Sequence, residues 1–356
     1  MMEFIKYKIQ QGDTLLSIAE QQEISVKELV GFHNENCGMT NVIIANKLPI
    51  HLKFIFLKNK ESFESNDKNS FTENVFSKIS KREARYRTKQ INIIKLNDVI
   101  SAHSAIQCDY YLLLQNKMNE EIIADVRLDD SIYNFYTQGS EELSDFIRSS
   151  DTVKSNIIYL LDEKGAIADL LNEETIQQNW HRFKKQLPMN KFFQKSPSEV
   201  LDKIINAGNI EYNSKIILLK NSNTNLFNKI MFGQYLTKSF NNFEHEQFDT
   251  ESHFFPQIAF TVDFETTKSS EDKSVVNYTK KGRPKFVDID SMILLYEKFY
   301  RPQIEFKFTD YLYDIEIDFS VSKEDGLINE ASVSISERIK NNMESQVLYE
   351  LKRVEL

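Results

Sequence analysis

Nine glycines, six prolines, two cysteines and one tryptophan in 356 residues narrow the field of functions at once. With so little glycine, no phosphate cradle or dinucleotide turn is formed, so no nucleotide cofactor is expected. No Gly-x-Ser-x-Gly elbow occurs either, which removes the usual esterase turn. Cys37 and Cys108 match neither a metal cluster nor a disulfide framework and read as free thiols. Lysine and arginine number 44 against 53 acids, a net charge of −9. Phosphate neutralisation and attraction to anionic lipid both need the opposite sign, so no nucleic-acid partner is expected. No apolar run approaches the ~18 to 20 residues of a membrane span, which predicts a soluble chain. The start, Met1-Met2-Glu3-Phe4, shows no basic n-region, apolar h-region or cleavage site. The expectation is therefore cytoplasmic synthesis without a Sec signal, any export being through a dedicated apparatus.

What the chain does have is bulk. Apolar residues make up 41% and aromatics 12%, with 26 phenylalanines and 15 tyrosines. That composition predicts folding rather than disorder, and the length predicts two or three domains with sizeable cores.

The most specific stretch is the first fifty-odd residues. Tyr7 and Ile9 alternate with Lys8 and Gln10, the period-two pattern of a half-buried strand. Gly12 permits a tight turn, and Asp13 or Thr14 can cap a helix whose apolar positions are Leu15, Ile18 and Ala19. Ser25 and Glu28 form a capping box, so a second helix begins near Val26 and carries Leu29 and Val30 inward. Turn formers fill Asn34 to Gly38, and an apolar run from Val42 to Ile50 completes a βααβ unit.

Tyr7, Gly12, Asp13, Thr14, Leu15, Ile18, Ala19, Leu29, Asn34, Leu48 and Ile50 fall in the order and spacing of the LysM family. The resemblance covers about residues 4–57. It implies binding of an N-acetylglucosamine polymer, peptidoglycan or chitin, in a shallow groove. Carried onto this sequence, that groove comprises Gly12, Asp13, Thr14 and Leu15 from the first turn, with Val42, Ile43, Ile44, Ala45 and Asn46 from the loop before the last strand. Backbone groups there would meet acetamido groups while short apolar side chains pack on the sugar face. The family usually carries Gly-Gln and then Pro around the last strand, where this chain has Ala45, Asn46 and His51. Retention of the fold as a docking unit without sugar binding therefore stays open. A single shallow module binds weakly, since tight wall binding ordinarily draws on tandem copies.

The remainder reads as an α+β body. Residues 58–83 are a polar linker. Residues 84–138 are strand-rich, with runs at Ile91–Ile94, Tyr110–Leu114 and Ile122–Leu128 closed by Asp129 and Asp130. Residues 139–247 are a helical block of five to seven helices, with starts at Ser140, Asp151, Asn172, Ser196 and Asn221 and breaks at Gly165, Pro188 and Gly208. Residues 248–356 are an antiparallel meander, expected in one sheet with 84–138. Its clearest strand puts Tyr311, Tyr313, Ile315, Ile317, Phe319 and Val321 on one face, followed by a hairpin turn at Lys323–Gly326.

Chemistry-bearing clusters in the body are few. Glu244, His245, Glu246, Asp249, Glu251 and His253 lack the four-residue histidine spacing of a zincin helix and read as a solvated acidic loop. Asp288 and Asp290 precede a helix, where Asp290 or Ser291 is the expected cap rather than a cation ligand. Pairing of Cys37 with His33, or Cys108 with His103, as nucleophile and base has little support. Trp180 reads as core. No catalytic or metal residue is nominated. The expected function is non-enzymatic: a module docking on wall glycan or a partner, and a body serving assembly. By resemblance to signal-less LysM proteins, the setting could be a phage-tail-like contractile or type VI-like secretion apparatus. The alternatives are a LysM-targeted wall hydrolase and a secretion-system adaptor or cargo.

Overall fold

A computed structural model describes residues 4–9, 13–22, 24–36, 43, 48, 52, 54–58, 81–116, 121–136, 140–237 and 246–354. The chain divides into two compact units, residues 1–71 and 72–356.

The first unit contains β1 (Phe4–Lys8), α1 (Leu15–Gln21), α2 (Val26–Asn36) and β2 (Phe54–Lys58). The strands pair antiparallel, Tyr7 opposite Ile55. Leu15, Ile18, Ala19, Leu29, Ile43, Leu52, Ile55 and Leu57 are the buried core. The closing strand thus lies after the apolar run expected to supply it. Ile43 and Leu48, the two described residues of that run, are outside any strand. Phe54–Leu57 alternates exposed and buried positions, the pattern that suits a strand with one wet face.

The second unit is built on one antiparallel sheet of eleven strands. In chain order its elements begin with β3 (Lys81–Leu96), β4 (Val99–Asn116), β5 (Ile122–Phe135) and α3 (Ser140–Ser150). A hairpin follows, β6 (Asn156–Leu161) and β7 (Ile167–Leu170), then α4 (Glu173–Lys184), α5 (Lys191–Gln194), α6 (Ser198–Tyr212), α7 (Lys215–Thr224) and α8 (Leu226–Met231). The chain re-enters the sheet with β8 (Glu246–Glu251), β9 (Ala259–Glu271) and β10 (Val275–Pro284). It passes through α9 (Ile289–Phe299) and α10 (Arg301–Ile304), and ends in β11 (Tyr311–Ser322), β12 (Ile328–Ile339) and β13 (Met343–Val354).

Across the sheet the order is β7-β6-β5-β4-β3-β13-β12-β11-β10-β9-β8. The body therefore starts at the sheet centre, meanders to one edge, crosses through the helices, and meanders back from the other edge until β13 pairs with β3. One sheet holds both strand-rich stretches.

Several local expectations change. The helical stretch is interrupted by the β6–β7 hairpin, whose short apolar run NIIYLL does not reveal its period. Gly165 makes its turn at φ 73°, and a Cβ there would meet the Gly233 carbonyl oxygen at 2.4 Å. Gly208 does not break a helix; it lies inside α6 because a Cβ would sit 2.3 Å from the Trp180 ring. Asn221 lies within α7 rather than starting a helix, and Ser214 and Asn225 are the caps of α7 and α8. Asp129 and Asp130 do not end β5. Register shifts beside them, and on the outer face Arg148 pairs with Asp130 at 2.8 Å. A bulge holding paired carboxylates lets the strand run on to Phe135. The polar stretch expected as a linker lies outside the described residues except for Lys58, in β2, and Lys81, Arg82 and Glu83, in β3.

The inner face of the sheet is covered by the buried segment from Phe227 to Leu236. Phe227 stacks on Tyr110 (4.1 Å between centroids) and meets Tyr86 edge-on. Phe232 meets Tyr159, and Tyr235 meets Phe319. The contacts reach β3, β4, β6 and β11, so one short segment ties both halves of the meander together. A buried polar node supports it: the Tyr159 hydroxyl donates to Ser222, and the Asn228 amide donates to Tyr159 and to the Ser222 carbonyl. A second, smaller core gathers Phe254, Phe255, Met292, Tyr296 and Ile339 beneath α9. No described helix is long and apolar enough to cross a membrane.

Candidate functional site

The first turn of the N-terminal unit is defined by reciprocal hydrogen bonds. The Ser17 amide donates to Thr14 Oγ1 at 3.0 Å and the Thr14 amide donates to Ser17 Oγ at 2.9 Å. Thr14 thus caps α1, and Asp13, directly before it, accepts from the Tyr7 hydroxyl at 2.9 Å. That bond, first, and the charge of Asp13 hold the Tyr7 phenol above its ordinary pKa. At the start of α2, the Ser25 amide and hydroxyl both donate to Glu28, which lowers its carboxyl from the usual range.

The loop side of the expected groove is anchored by Asn34. Its amide nitrogen donates to the Ile43 carbonyl at 2.9 Å, and its carbonyl oxygen accepts from the Ile43 amide at 2.8 Å. A side-chain amide that meets both backbone groups of one residue imitates a strand partner and fixes that residue's position. Leu15 and Ile43 then share the core, each 3% exposed. Of the nine residues assigned to the groove, Asp13, Thr14, Leu15 and Ile43 are placed this way. Gly12, Val42, Ile44, Ala45 and Asn46 lie outside the described residues, as does Cys37.

Burial changes what Leu15 and Ile43 can offer. Their side chains serve the core, and both backbone groups of Ile43 are taken by Asn34, so neither side chain faces a ligand. The exposed apolar side chain beside the cap is Leu16, 59% exposed. Helical phase was the signal for it: with Leu15, Ile18 and Ala19 inward, position 16 faces out. His33 is fully buried, and its Nδ1 accepts from the Phe56 amide at 3.2 Å. It is a structural histidine joining α2 to β2.

Residues 7–31 match the LysM domain family. No curated protein matches the chain. Among solved structures, a lipovitellin structure described for its lipid–protein interactions aligns over 78% of this chain at 10% identity and TM-score 0.40. This chain spans only 25% of that lipovitellin's length. A DUF1329 family protein from Desulfovibrio piger aligns over 79% of this chain and 89% of its own at 8% identity and TM-score 0.16. Likeness at that level assigns neither fold nor function to the body.

The body's chemistry-bearing residues are dispersed by the fold. Glu246, Asp249 and Glu251 belong to the edge strand β8 rather than a loop, and His253 follows it. Glu246 pairs with Lys280, Glu251 with Lys220 at 2.8 Å, and Asp249 accepts from the Thr261 hydroxyl at 2.7 Å. Glu244 and His245 lie outside the described residues, among which no three acids, histidines or cysteines gather as a metal site. Asp288, not Asp290 or Ser291, caps α9, accepting from the Ser291 amide at 3.1 Å. Cys108 and His103 are five positions apart on β4 and therefore on opposite faces. Burial pushes the Cys108 thiol up to about 11, and His103 stacks on Tyr136. Trp180 is buried, its indole N–H donating to Asn209.

Glu337 is the polar feature that the linear pattern hid. Fully buried, it accepts from the Ser252 hydroxyl, the His253 amide at 2.6 Å and the Tyr311 hydroxyl at 3.0 Å. His253 Nδ1 lies 3.0 Å from Ser345 Oγ and 3.8 Å from Glu337. A catalytic triad uses the two ring nitrogens for different partners; here both groups meet the same nitrogen. Burial lowers the His253 pKa, with the charge of Glu337 opposing. The cluster braces the end of β8 against β12 and β13.

Proposed function

We propose that the N-terminal unit docks on an N-acetylglucosamine polymer, peptidoglycan or chitin, and that the body is the assembly part of the protein. The observation that carries the first statement is the match of residues 7–31 to the LysM domain family. The capped turn and the Asn34–Ile43 anchor support it, because they fix Thr14 and Ile43, one on each side of the expected groove, with an exposed apolar side chain, Leu16, beside the cap. That arrangement suits a sugar, offering a fixed shallow surface with a small apolar patch for the ring face. The assembly reading rests on exposed apolar side chains around α9, Phe286 at 76% and Leu294 at 72%. Exposed apolar surface of that kind is characteristic of protein contacts. A contractile or secretion apparatus is the setting proposed for it, on the resemblance of single-module LysM chains to such components.

The test is retention on purified insoluble peptidoglycan and chitin. The full chain is expected in the pellet, residues 72–356 in the supernatant, and the full-length Leu16→Asp variant at an intermediate level. If the full chain stays in solution with both polymers, the sugar-binding reading is overturned and the unit is a protein-docking element.

A further inference from the structure

The two sheet edges, first and last of eleven strands in order, face one cavity. The β6–β7 turn contributes Lys164 and Ala166, β7 contributes Ile167, and β8 contributes Glu246 through Glu251. The C-terminal end of α7 and the segment Asn228–Gln234 line the same space, whose volume is about 700 Å³. Its walls are more apolar than polar, with Phe232, Phe248, Phe264 and Ile317 among them. That volume lies within the range of small-molecule sites, which combine an apolar lining with a few placed polar groups.

Two of the lysines in the lining are paired with carboxylates of the same lining. Lys280 pairs with Glu246, and Lys220 with Glu251. Lys229 differs. It lies on α8 among buried neighbours, and its ammonium sits 3.6 Å above the centre of the Phe248 ring, which in turn stacks on Phe264 at 4.9 Å. Among the described residues the ammonium has no hydrogen bond and no ion pair; Asp249 acts on it only at longer range. Burial pushes its pKa down to about 8. An ammonium held in an apolar cavity without a carboxylate partner is costly unless a ligand completes it.

We propose that this cavity binds a small monoanion with an apolar body, a free aliphatic carboxylate, with Lys229 taking the carboxylate and Phe232, Phe264 and Ile317 enclosing the chain. A single lysine is a point charge suited to one negative group, and no arginine lines the cavity to grip a phosphate bidentately. With Lys280 paired to Glu246 and Lys220 to Glu251, and with Lys164 and Asp249 of opposite sign also in the lining, Lys229 leaves the described lining with one net positive charge. This site is independent of the glycan reading, since it lies wholly within residues 72–356.

The experiment is calorimetric titration of the full chain with decanoate, 1-decanol and inorganic phosphate. Decanoate is expected to bind. The alcohol, with the tail alone, and phosphate, with charge alone, are expected to bind at least about tenfold more weakly, the value of one charge-assisted contact. Lys229→Gln should weaken decanoate by on the order of tenfold. Thr224→Trp, which fills the cavity from its exposed rim, should weaken it whether or not the lysine variant folds. Equal binding of decanoate and decanol, undiminished binding in both variants, or no decanoate binding by the wild-type chain would each overturn the proposal. Sedimentation with phosphatidylglycerol vesicles separates the sources: protein left in the supernatant supports a free carboxylate. Co-sedimentation that survives Lys229→Gln means a bilayer surface is the partner and counts against it.

Discussion

The N-terminal unit and the body stay folded by different means. Among its described residues the unit has a core of eight buried side chains, and its shape is set by near neighbours: Thr14 with Ser17, Ser25 with Glu28, Asn34 with Ile43. The body encloses a far larger core, and its decisive contacts join residues far apart in sequence, such as Phe227 with Tyr86 and Tyr235 with Phe319. A small unit cannot bury enough apolar surface to tolerate loose ends, so capping and loop anchoring carry much of its stability. A large sheet can leave its local signals weak because burial over its inner face decides the outcome.

The first way to break that comparison is Phe227→Ala. It removes the ring that opens the segment covering the sheet and packs on Tyr110 and Tyr86, and should cost about 3–5 kcal/mol. Trp180 is the chain's one tryptophan and lies buried in the body, so urea unfolding followed by its fluorescence reads this unit alone. The second is Gly208→Val, expected to destabilise by roughly 1–3 kcal/mol in the same assay because the added carbons strike Trp180. Gly208→Ala decides between two principles. Helix propensity alone predicts a gain of up to about 1 kcal/mol, whereas the 2.3 Å approach to the indole predicts a loss.

The N-terminal unit supplies the contrast. Asn34→Ala leaves the amide and carbonyl of Ile43 without their partner and should cost about 1–3 kcal/mol. Amide exchange in residues 24–36 would report the loss, with the Trp180 transition unmoved. Thr14→Ala removes a helix cap, at about 1 kcal/mol. The smallest expected effect is a titration. The Tyr7 phenol is raised by its bond to Asp13, so the folded state favours the protonated form. Its contribution is complete below the unfolded phenol pKa and disappears as pH rises through the folded one. Absorbance titration of Tyr7 should move to lower pH in Asp13→Asn; an unmoved midpoint would show that the bond does not form in solution.

Legibility followed the same division. Caps, the strand-turn-helix order and the LysM match were readable because their partners lie within a few residues. The antiparallel strands of the body were readable where one face is wet, as in β11, whose buried positions alternate from Tyr313 to Phe319. The β6–β7 hairpin was not, because NIIYLL is too short to show a period. Gly208 read as a break because glycine's low helix propensity is local, while the ring that requires it comes from another helix. Glu337 gave no warning: within an alternating strand it resembles any outward acid, and only packing against Ser252, His253 and Tyr311 makes it a buried acceptor. In the groove, Asp13 and Thr14 could be assigned to the turn, and the helical phase that turns Leu15 inward also turns Leu16 outward, a consequence the groove assignment did not use.

The amino-acid sequence by itself determined the α+β class, the helix caps of the N-terminal unit, and the alternation that makes one face of each long strand apolar. Those features depend on residues within one or two turns of each other, where spacing translates directly into geometry. Tertiary structure decided that two separate strand-rich stretches form one sheet, that the segment Phe227–Leu236 covers its inner face, and that Lys229, with no ion pair among the described residues, stands beside a cavity shared by both sheet edges. Each of these is a meeting of residues distant along the chain. Such meetings are settled by which surfaces can be buried together, a property of the whole fold.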